Sequence, residues 1–452
     1  MTLKFGPLAI MITGLLVAPA VCAVDLVGVH DAAVNNDPQL RAAEYRRDAS
    51  GENTKQAWAN FLPSISGSAT FVEGDSETNV QIPGFIPTDV DTETESYSLR
   101  LSQTIYNHAN YGQLDQARAL VSQADADYAI AYQDFLLRVA NRYFSVLTAI
   151  DGLTFAEAEE KALQRQFEQA EQRFEVGLTA ITDVHEARAG YDIARARVIV
   201  ARNTLDDAHE GLRELAGRYF EKLEPLKEDL PLVMPTPASS AKWVELALAN
   251  SPTLLSRQKA ADIAEANIKL QKSGHYPTLD LVASISEFNN NKFNVRDDFQ
   301  NVIGTTTLEN DTTQISLQLN VPIYSGGLIT SRSRQAGRQF DAALQDLEAQ
   351  RRATVRQTRN AFRAVTAGIQ QVEAFKQALV SASSALEATE AGFEVGTRTI
   401  VDVLLAEQRY FQAQRDYSSS RHTYILDHLR LRNAAGVLQK AHLETVDTAA
   451  LD

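Results

Sequence analysis

The segment from Phe174 to Gly217 aligns without a gap on the segment from Phe393 to Gly436, with 17 identities in 44 positions. Such a duplication restricts the fold before any element is assigned, because each copy must build the same supersecondary unit. Landmarks also repeat upstream: Asp37-Pro38 and Phe61-Leu62-Pro63 answer to Ser251-Pro252 and Tyr276-Pro277, and Ile105-Tyr106 answers to Ile323-Tyr324. Between its proline and tyrosine landmarks the second copy is four residues longer, so an insertion belongs in a loop there.

Each copy has the same order of elements. A helical stretch (Leu26 to Leu62; Ser240 to Tyr276) runs up to a proline, which disfavours a helical predecessor and marks a change of structure. Two segments with period-two alternation follow. In Glu95 to Gln103 the apolar series is Tyr97, Leu99 and Leu101, and in Thr313 to Val321 it is Ile315, Leu317, Leu319 and Val321. Alternation of this kind means strands. Weaker alternation through Ser64 to Glu73 and Thr278 to Phe288 gives each strand a hairpin partner, so the hairpins span 64–105 and 278–324. Phe61, Tyr106, Tyr276 and Tyr324 stand near one end of these hairpins, where membrane strands carry an aromatic girdle.

After the second strand of each copy comes a proline-free run of about 67 residues, with apolar side chains three and four apart, which is a coiled-coil pattern roughly 100 Å long at 1.5 Å per residue. Val176-Gly177 and Val395-Gly396 end these runs, and a return helix of about 37 residues follows. The prolines of residues 223–239 mark a linker, giving repeats over 24–222 and 240–436 and a tail over 437–452.

Residues 1–23 read as a secretory signal peptide: Lys4 precedes an apolar run from Leu8 to Val17, and Val21-Cys22-Ala23 resembles a cleavage site. Cys22 is the only cysteine, so the mature chain has neither disulfide nor thiol chemistry. A formal charge of −15 disfavours nucleic acid as a partner. No catalytic pattern is present, since His185-Glu186-Ala187-Arg188-Ala189 lacks the second histidine of a zinc helix and no phosphate loop or nucleophile elbow occurs. The chain is therefore expected to be no enzyme and to need no cofactor or metal.

Four strands cannot close a membrane barrel, because such barrels begin at about eight strands and lipid tolerates no open edge. Oligomers are required, and the polar alternation of Ser96, Ser98, Arg100, Gln314, Gln318 and Asn320 favours a trimer of twelve strands with an open lumen over a filled dimer. The rival reading, a periplasmic coiled-coil structural or adaptor protein, explains the helices but not the hairpins.

Over nearly its full mature length the chain resembles the TolC family of outer-membrane channel proteins of Gram-negative bacteria. The resemblance rests on the two VGxxxIxDV turns (Val176 to Val184; Val395 to Val403), the signal peptide, the paired hairpins and the helix ARARVIVARNTLDDAHEGLRELAG from Ala194 to Gly217. It implies a mainly α fold with a membrane β-barrel portion, a homotrimeric 12-strand barrel in the outer membrane continued by a 12-helix periplasmic tunnel. It also implies an exit duct for drug efflux and type I protein secretion, working with periplasmic adaptors and with inner-membrane efflux pumps or ABC transporters.

The resemblance further assigns residues at the reversals. Gly177, Leu178, Thr179, Gly396, Thr397 and Arg398 become the adaptor-facing rim, although both glycines also suit plain C-caps. Arg398 stands at the family's gate arginine, with Thr182 and Asp183 at its partners on a neighbouring helix pair. Phe393 replaces a gate tyrosine and lacks its hydroxyl. Asp402 matches the first of two aspartates ringing the constriction, and Leu405 replaces the second. Asp183 and Asp402 equally suit the first turn of a helix, where the dipole favours acids.

Overall fold

The computed structural model of the protein describes residues 23–78, 88–227, 230–296 and 302–447. The signal segment up to Cys22, the tips of both hairpin loops and the end of the tail lie outside the described residues.

Both hairpins form where alternation placed them, and run further. The strands are β1 (Ser64–Thr78), β2 (Thr88–Asn107), β3 (Thr278–Arg296) and β4 (Val302–Asn320). With 15 to 20 residues each, they exceed the roughly 9–11 needed to cross a bilayer. They make one antiparallel sheet in the order β1-β2-β3-β4, so β2 and β3 join the two repeats.

The register makes the sheet two-faced. Ile65, Leu101, Ala283 and Ile315 stand side by side across all four strands, with Leu99 beside Ile285 and Leu281 beside Leu317 on the same face. The other face carries the rows Ser66, Arg100, Ser284, Gln314 and Ser68, Ser98, Ser286, Thr312. Ile65, Leu99, Ile285, Ile315 and Leu317 are all more than half exposed. A continuous exposed apolar face opposite a polar one is the pattern of strands with lipid outside and water inside.

Thr278 lies opposite both Asn107 and Asn320, so these two residues are the equivalent strand ends. The extra residues of the second copy therefore sit after β4, in the connection 321–327, which closes with Gly326 and Gly327 at φ +62° and +80°. Tyr106 is consequently a strand residue while Tyr324 lies past its strand, 88% exposed. Around Phe61 the aromatic cluster includes Trp58 and Tyr111, at ring distances of 5.4 and 5.2 Å.

The helices differ from expectation in one repeated respect. The stretches read as single helices up to Leu62 and Tyr276 are each two helices: α1 (Leu26–Ala33) and α2 (Pro38–Ala59), then α5 (Ser240–Asn250) and α6 (Pro252–Lys272). Proline is the reason in both repeats. Asp37 and Ser251 are held extended before it, at ψ 112° and 115°, and each caps the helix that follows. The Asp37 carboxylate accepts from the Gln39 amide at 2.9 Å, and the Ser251 hydroxyl from Leu254 at 3.4 Å. The long helices α3 (His108–Glu175) and α7 (Leu328–Glu394) run unbroken for 68 and 67 residues and return as α4 (Ile181–Ala216) and α8 (Ile400–Ala434). Near the strands α3 is held by α2, where Asn60 donates to Gln113 at 2.9 Å, and by α6, where Ser256 donates to Asp127 at 2.6 Å. Among the described residues no helix is long and apolar enough to cross a membrane.

The main hydrophobic core sits midway along α3 and in the last third of α8. Leu26, Phe135, Phe144, Leu212, Tyr424 and Leu429 are all at most 2% exposed there. The segments read as a linker and a tail are part of this core. Leu223 is buried and its segment pairs with Val24, while the Tyr424 hydroxyl donates to the Val233 carbonyl at 3.0 Å. The described part of the tail carries a further helix, α9 (Ala441–Asp447), with Leu443 and Val446 buried and Lys440 paired with Asp31 at 2.6 Å. Burying apolar side chains stabilises by about 1.5–3 kcal/mol each, which gives linker and tail a structural role that composition alone conceals.

The two faces predict opposite responses at adjacent positions of β4. Leu317→Arg, on the apolar face, is expected to cost about 2–4 kcal/mol if it lies near the bilayer midplane. Gln318→Arg, one residue on and facing the other way, should cost far less. Thermal unfolding of the detergent-solubilised protein measures both, and equal losses refute the assigned faces.

Candidate entrance at the helix reversals

Both long helices reverse through the same backbone device. After α3, Gly177 donates to Phe174 at 2.9 Å and Leu178 to Arg173 at 2.8 Å; after α7, Gly396 donates to Phe393 at 3.1 Å and Thr397 to Gly392 at 2.8 Å. These are paired Schellman bonds, which satisfy the last carbonyls of the helix and require a left-handed residue. Gly177 and Gly396 take φ +75° and +79°, with open space where a side chain would stand. Val176, Leu178 and Val395 are 69–76% exposed, so each tip presents apolar surface to solvent.

The return helices begin differently. On α8, Thr399 and Asp402 form a reciprocal capping box, with the Asp402 amide donating to the Thr399 hydroxyl at 3.2 Å and the Thr399 amide to the Asp402 carboxylate at 3.0 Å. Those hydrogen bonds from the Thr399 amide and hydroxyl, together with the Arg398 charge, hold the Asp402 carboxyl below the usual carboxylate range. It is therefore an anion at neutral pH. On α4 the N-cap is Ala180, which offers no side-chain bond. Thr179 substitutes by donating to the Asp183 carboxylate, and Thr182 donates to the same group at 3.5 Å.

Thr182 and Asp183 thus sit together at the start of α4, and Arg398, Asp402 and Leu405 belong to the other tip. The chain does not bring Arg398 onto Thr182 or Asp183: among the described residues its guanidinium makes no hydrogen bond or ion pair. Its aliphatic stem instead crosses Gly392, where an added Cβ would come within 2.8 Å of Arg398 Cγ. Leu405 is 46% exposed, one helical turn from Asp402.

Phe393 fills the seam between the two helix pairs. It packs with Ala170, Val184, Ala187, Ile400 and Leu404, and the Arg173 guanidinium lies over its ring at 4.6 Å. A cation over an aromatic face is attracted by the ring quadrupole, so a polar contact exists here that needs no hydroxyl. Arg173 escaped the sequence reading. The alignment held a trace of it, since Arg173 precedes one FEVG motif and Gly392 the other.

A second missed residue is Glu159. It is 1% exposed and binds two arginines, Arg197 of α4 and Arg415 of α8, the latter at 3.0 Å. One carboxylate thereby joins three helices. Nothing local marks it, because its partners lie 38 and 256 residues away. Among the described residues no group of three or more His, Cys, Asp or Glu side chains is placed to hold a metal ion.

Comparison with known proteins agrees with this geometry. The profile of the family described as outer membrane efflux protein matches residues 29–218 and 243–437, one match per repeat. Outer membrane protein TolC of Vibrio cholerae serotype O1 is 39% identical over 428 residues, covering 95% of this chain and 94% of that protein. TolC of Escherichia coli (strain K12) is 34% identical over 434 residues, 94% of this chain and 85% of that protein. Alkaline protease secretion protein AprF of Pseudomonas aeruginosa is 29% identical over 427 residues, 94% and 87% of the respective chains. Among solved structures, CusC has a TM-score of 0.73 at 18% identity, covering 92% of this chain and 93% of that one. The Campylobacter jejuni CmeC outer membrane channel has a TM-score of 0.73 at 15% identity, covering 94% and 89%. A duplicated chain with a two-faced four-stranded sheet, long helices reversing at glycine caps and relatives of this identity over nearly its whole length belongs to the outer membrane efflux protein family, and is a TolC-type exit duct of the outer membrane.

Proposed function

We propose that three copies of this chain close a twelve-strand barrel in the outer membrane, and that their helices form a periplasmic tunnel docking with periplasmic adaptors and inner-membrane pumps or ABC transporters. The exposed apolar face of the sheet carries this reading. With β1 and β4 as open edges, the face is stable in lipid only when other copies pair with those edges. The polar rows on the opposite face suit a lumen filled with water. Small-molecule efflux and type I protein secretion both fit a shared duct, and the name of AprF ties that relative to secretion of a protease.

The tips are the adaptor contact. Gly177, Leu178, Thr179, Gly396, Thr397 and Arg398 surround exposed Val176 and Val395, and apolar side chains at an exposed tip are what a docking partner would cover. Arg398 is the latch of the closed entrance, pairing with Asp183 and Thr182 of a neighbouring helix pair. Among the described residues its guanidinium makes no hydrogen bond or ion pair, and the threonine-held Asp183 is an acceptor already in place. Asp402, anionic through its capping box, forms the charged ring of the constriction with Leu405 as an apolar ring beside it. Phe393, set against Arg173, holds the seam where the relatives' tyrosine would hydrogen-bond.

Crosslinking of the purified protein should stop at trimers; dimers as the end point would refute the closed barrel. A β-branched residue at the left-handed tip, Gly396→Val, strains the turn by about 1–2 kcal/mol and should impair export while trimers persist. Normal efflux in those cells would remove the tip from the docking surface. In planar bilayers Arg398→Ala should raise conductance. Each exposed pair contributes only about 0.2–1 kcal/mol, but threefold symmetry repeats it around the ring. Unchanged conductance with an intact trimer would exclude the latch. A trivalent cation added on the periplasmic side should block the parent channel, because carboxylates confined in a narrow throat focus a negative potential. Asp402→Ala should lose most of the block and Leu405→Asp should strengthen it; undiminished block in Asp402→Ala would move the filter elsewhere.

A further inference from the structure

The last turns of α3 and α7 before their reversals leave a groove that α8 also lines, with a volume of about 810 Å³. That is the size of sites that enclose drug-sized molecules. Glu407 of α8 lines it and is only 3% exposed, and its Oε2 has no hydrogen-bond partner. Gln166 of α3 lines the same groove, and its Oε1 is also buried without a partner. A native interior rarely leaves two acceptors unsatisfied in one place, because each costs its full desolvation. The Gln166 side chain hydrogen-bonds the Glu407 carboxyl, yet this leaves Glu407 Oε2 and Gln166 Oε1 each without a donor.

The surrounding charge selects the kind of donor. On α7, Glu390 and Glu394 line the groove, and Glu159 of α3 lies near enough to act on Glu407 but is already bound by Arg197 and Arg415. Two cations also line it. Arg173 is placed over the Phe393 ring at 4.6 Å, and Arg165 is exposed and donates to the Lys161 carbonyl at 3.3 Å. Neither provides Glu407 Oε2 with a bond. Phe393, Tyr410 and Phe411 add aromatic surface, whose faces attract cations and whose area suits an apolar body.

We propose that this groove is a binding site for a singly charged amphipathic organic amine, its ammonium donating to Glu407 and Gln166 and its apolar body lying against Phe393, Tyr410 and Phe411. Such a ligand bridges the α3–α4 pair and the α7–α8 pair. It is separate from the Asp402 ring, which recognises charge alone. Binding is linked to protons: burial, with the nearby Glu390 charge, pushes the Glu407 carboxyl up to about 7. Below that pH the carboxyl is neutral and offers the ammonium no charge; above it the carboxylate is free to pair, so affinity rises with pH and then levels off.

The test is equilibrium dialysis of dansylcadaverine, a primary amine with a naphthalene body, against the purified full-length protein in nanodiscs. Saturable binding is expected, weakening by about tenfold per unit as pH falls below about 7. Dansyl pentylamide, which has the same body without the amine, should not compete. Glu407→Gln keeps the shape and removes the charge, and should lower affinity by about tenfold or more. Glu171→Gln removes an exposed charge of α3 outside the groove and should leave affinity unchanged. The proposal is overturned by parent-like affinity in Glu407→Gln, by equal competition from the neutral analogue, or by affinity that does not change between about pH 5.5 and about pH 8. The last two measurements use the parent protein, so they decide the matter even if the variant does not assemble.

Discussion

A sheet of four strands with one apolar face and two open edges cannot stand alone in water or in lipid. In water the face holding Ile65, Leu99, Ile285, Ile315 and Leu317 would have to be covered. In lipid that face is at home, but the unpaired backbone of β1 and β4 is not, since each unsatisfied group there costs several kcal/mol. Pairing with further copies removes both difficulties. In the proposed closure the strands stand around an axis, and the helices leaving them at Asn107 and Leu328 would then stand around it too. A periplasmic adaptor built only of coiled coil would have no use for the apolar face.

The helices are organised from two levels. At the level of the middle of α3 and α7, a core built from α1, α3, α4, α5, α7, α8, α9 and the inter-repeat segment fixes the two repeats together. Nearer the tips the apolar contacts thin to the small cluster around Ile400 and Phe393, and between the two levels Glu159 joins α3, α4 and α8 through Arg197 and Arg415. A helix pair held firmly at its middle and lightly at its end is free to shift at the end first, because local opening is easiest where few buried contacts must be broken. The two copies have also diverged where they meet. Arg173 stands over Phe393 from the position that Gly392 occupies in the other copy, and Gly392 in turn makes room for the Arg398 stem. The same turn therefore serves twice with different chemistry.

Much of this was legible in the chain because the signals were local and periodic. Alternation gave the strands, three-and-four spacing gave α3 and α7, and Val-Gly gave the reversals at Gly177 and Gly396. Prolines 38 and 252 were visible, yet the helices they divide were read as continuous, because one break inside a helical pattern is a weaker signal than the pattern. The sequence marks 437–452 only as a tail, since Leu443 and Val446 look like scattered apolar residues until the core they enter is known. At Phe393 the sequence shows only a lost hydroxyl; the contact with Arg173 comes from the other repeat and has no local trace beyond a mismatch in the alignment.

The sequence by itself determined the duplicated architecture, the two hairpins with one apolar face, the lengths of α3 and α7 and the glycine turns that reverse them, because each follows from short-range backbone and hydrophobic rules. Only the tertiary structure decided that the linker and the tail belong to the core, that Asp183 and Asp402 are held by Thr179 and Thr399, that Glu159 ties three helices, and that Glu407 Oε2 lies in a groove without a hydrogen-bond partner. These depend on which side chains meet, and on how much water is left between them. Separation along the chain says little about either: the 256 residues between Glu159 and Arg415 vanish when two helices pack.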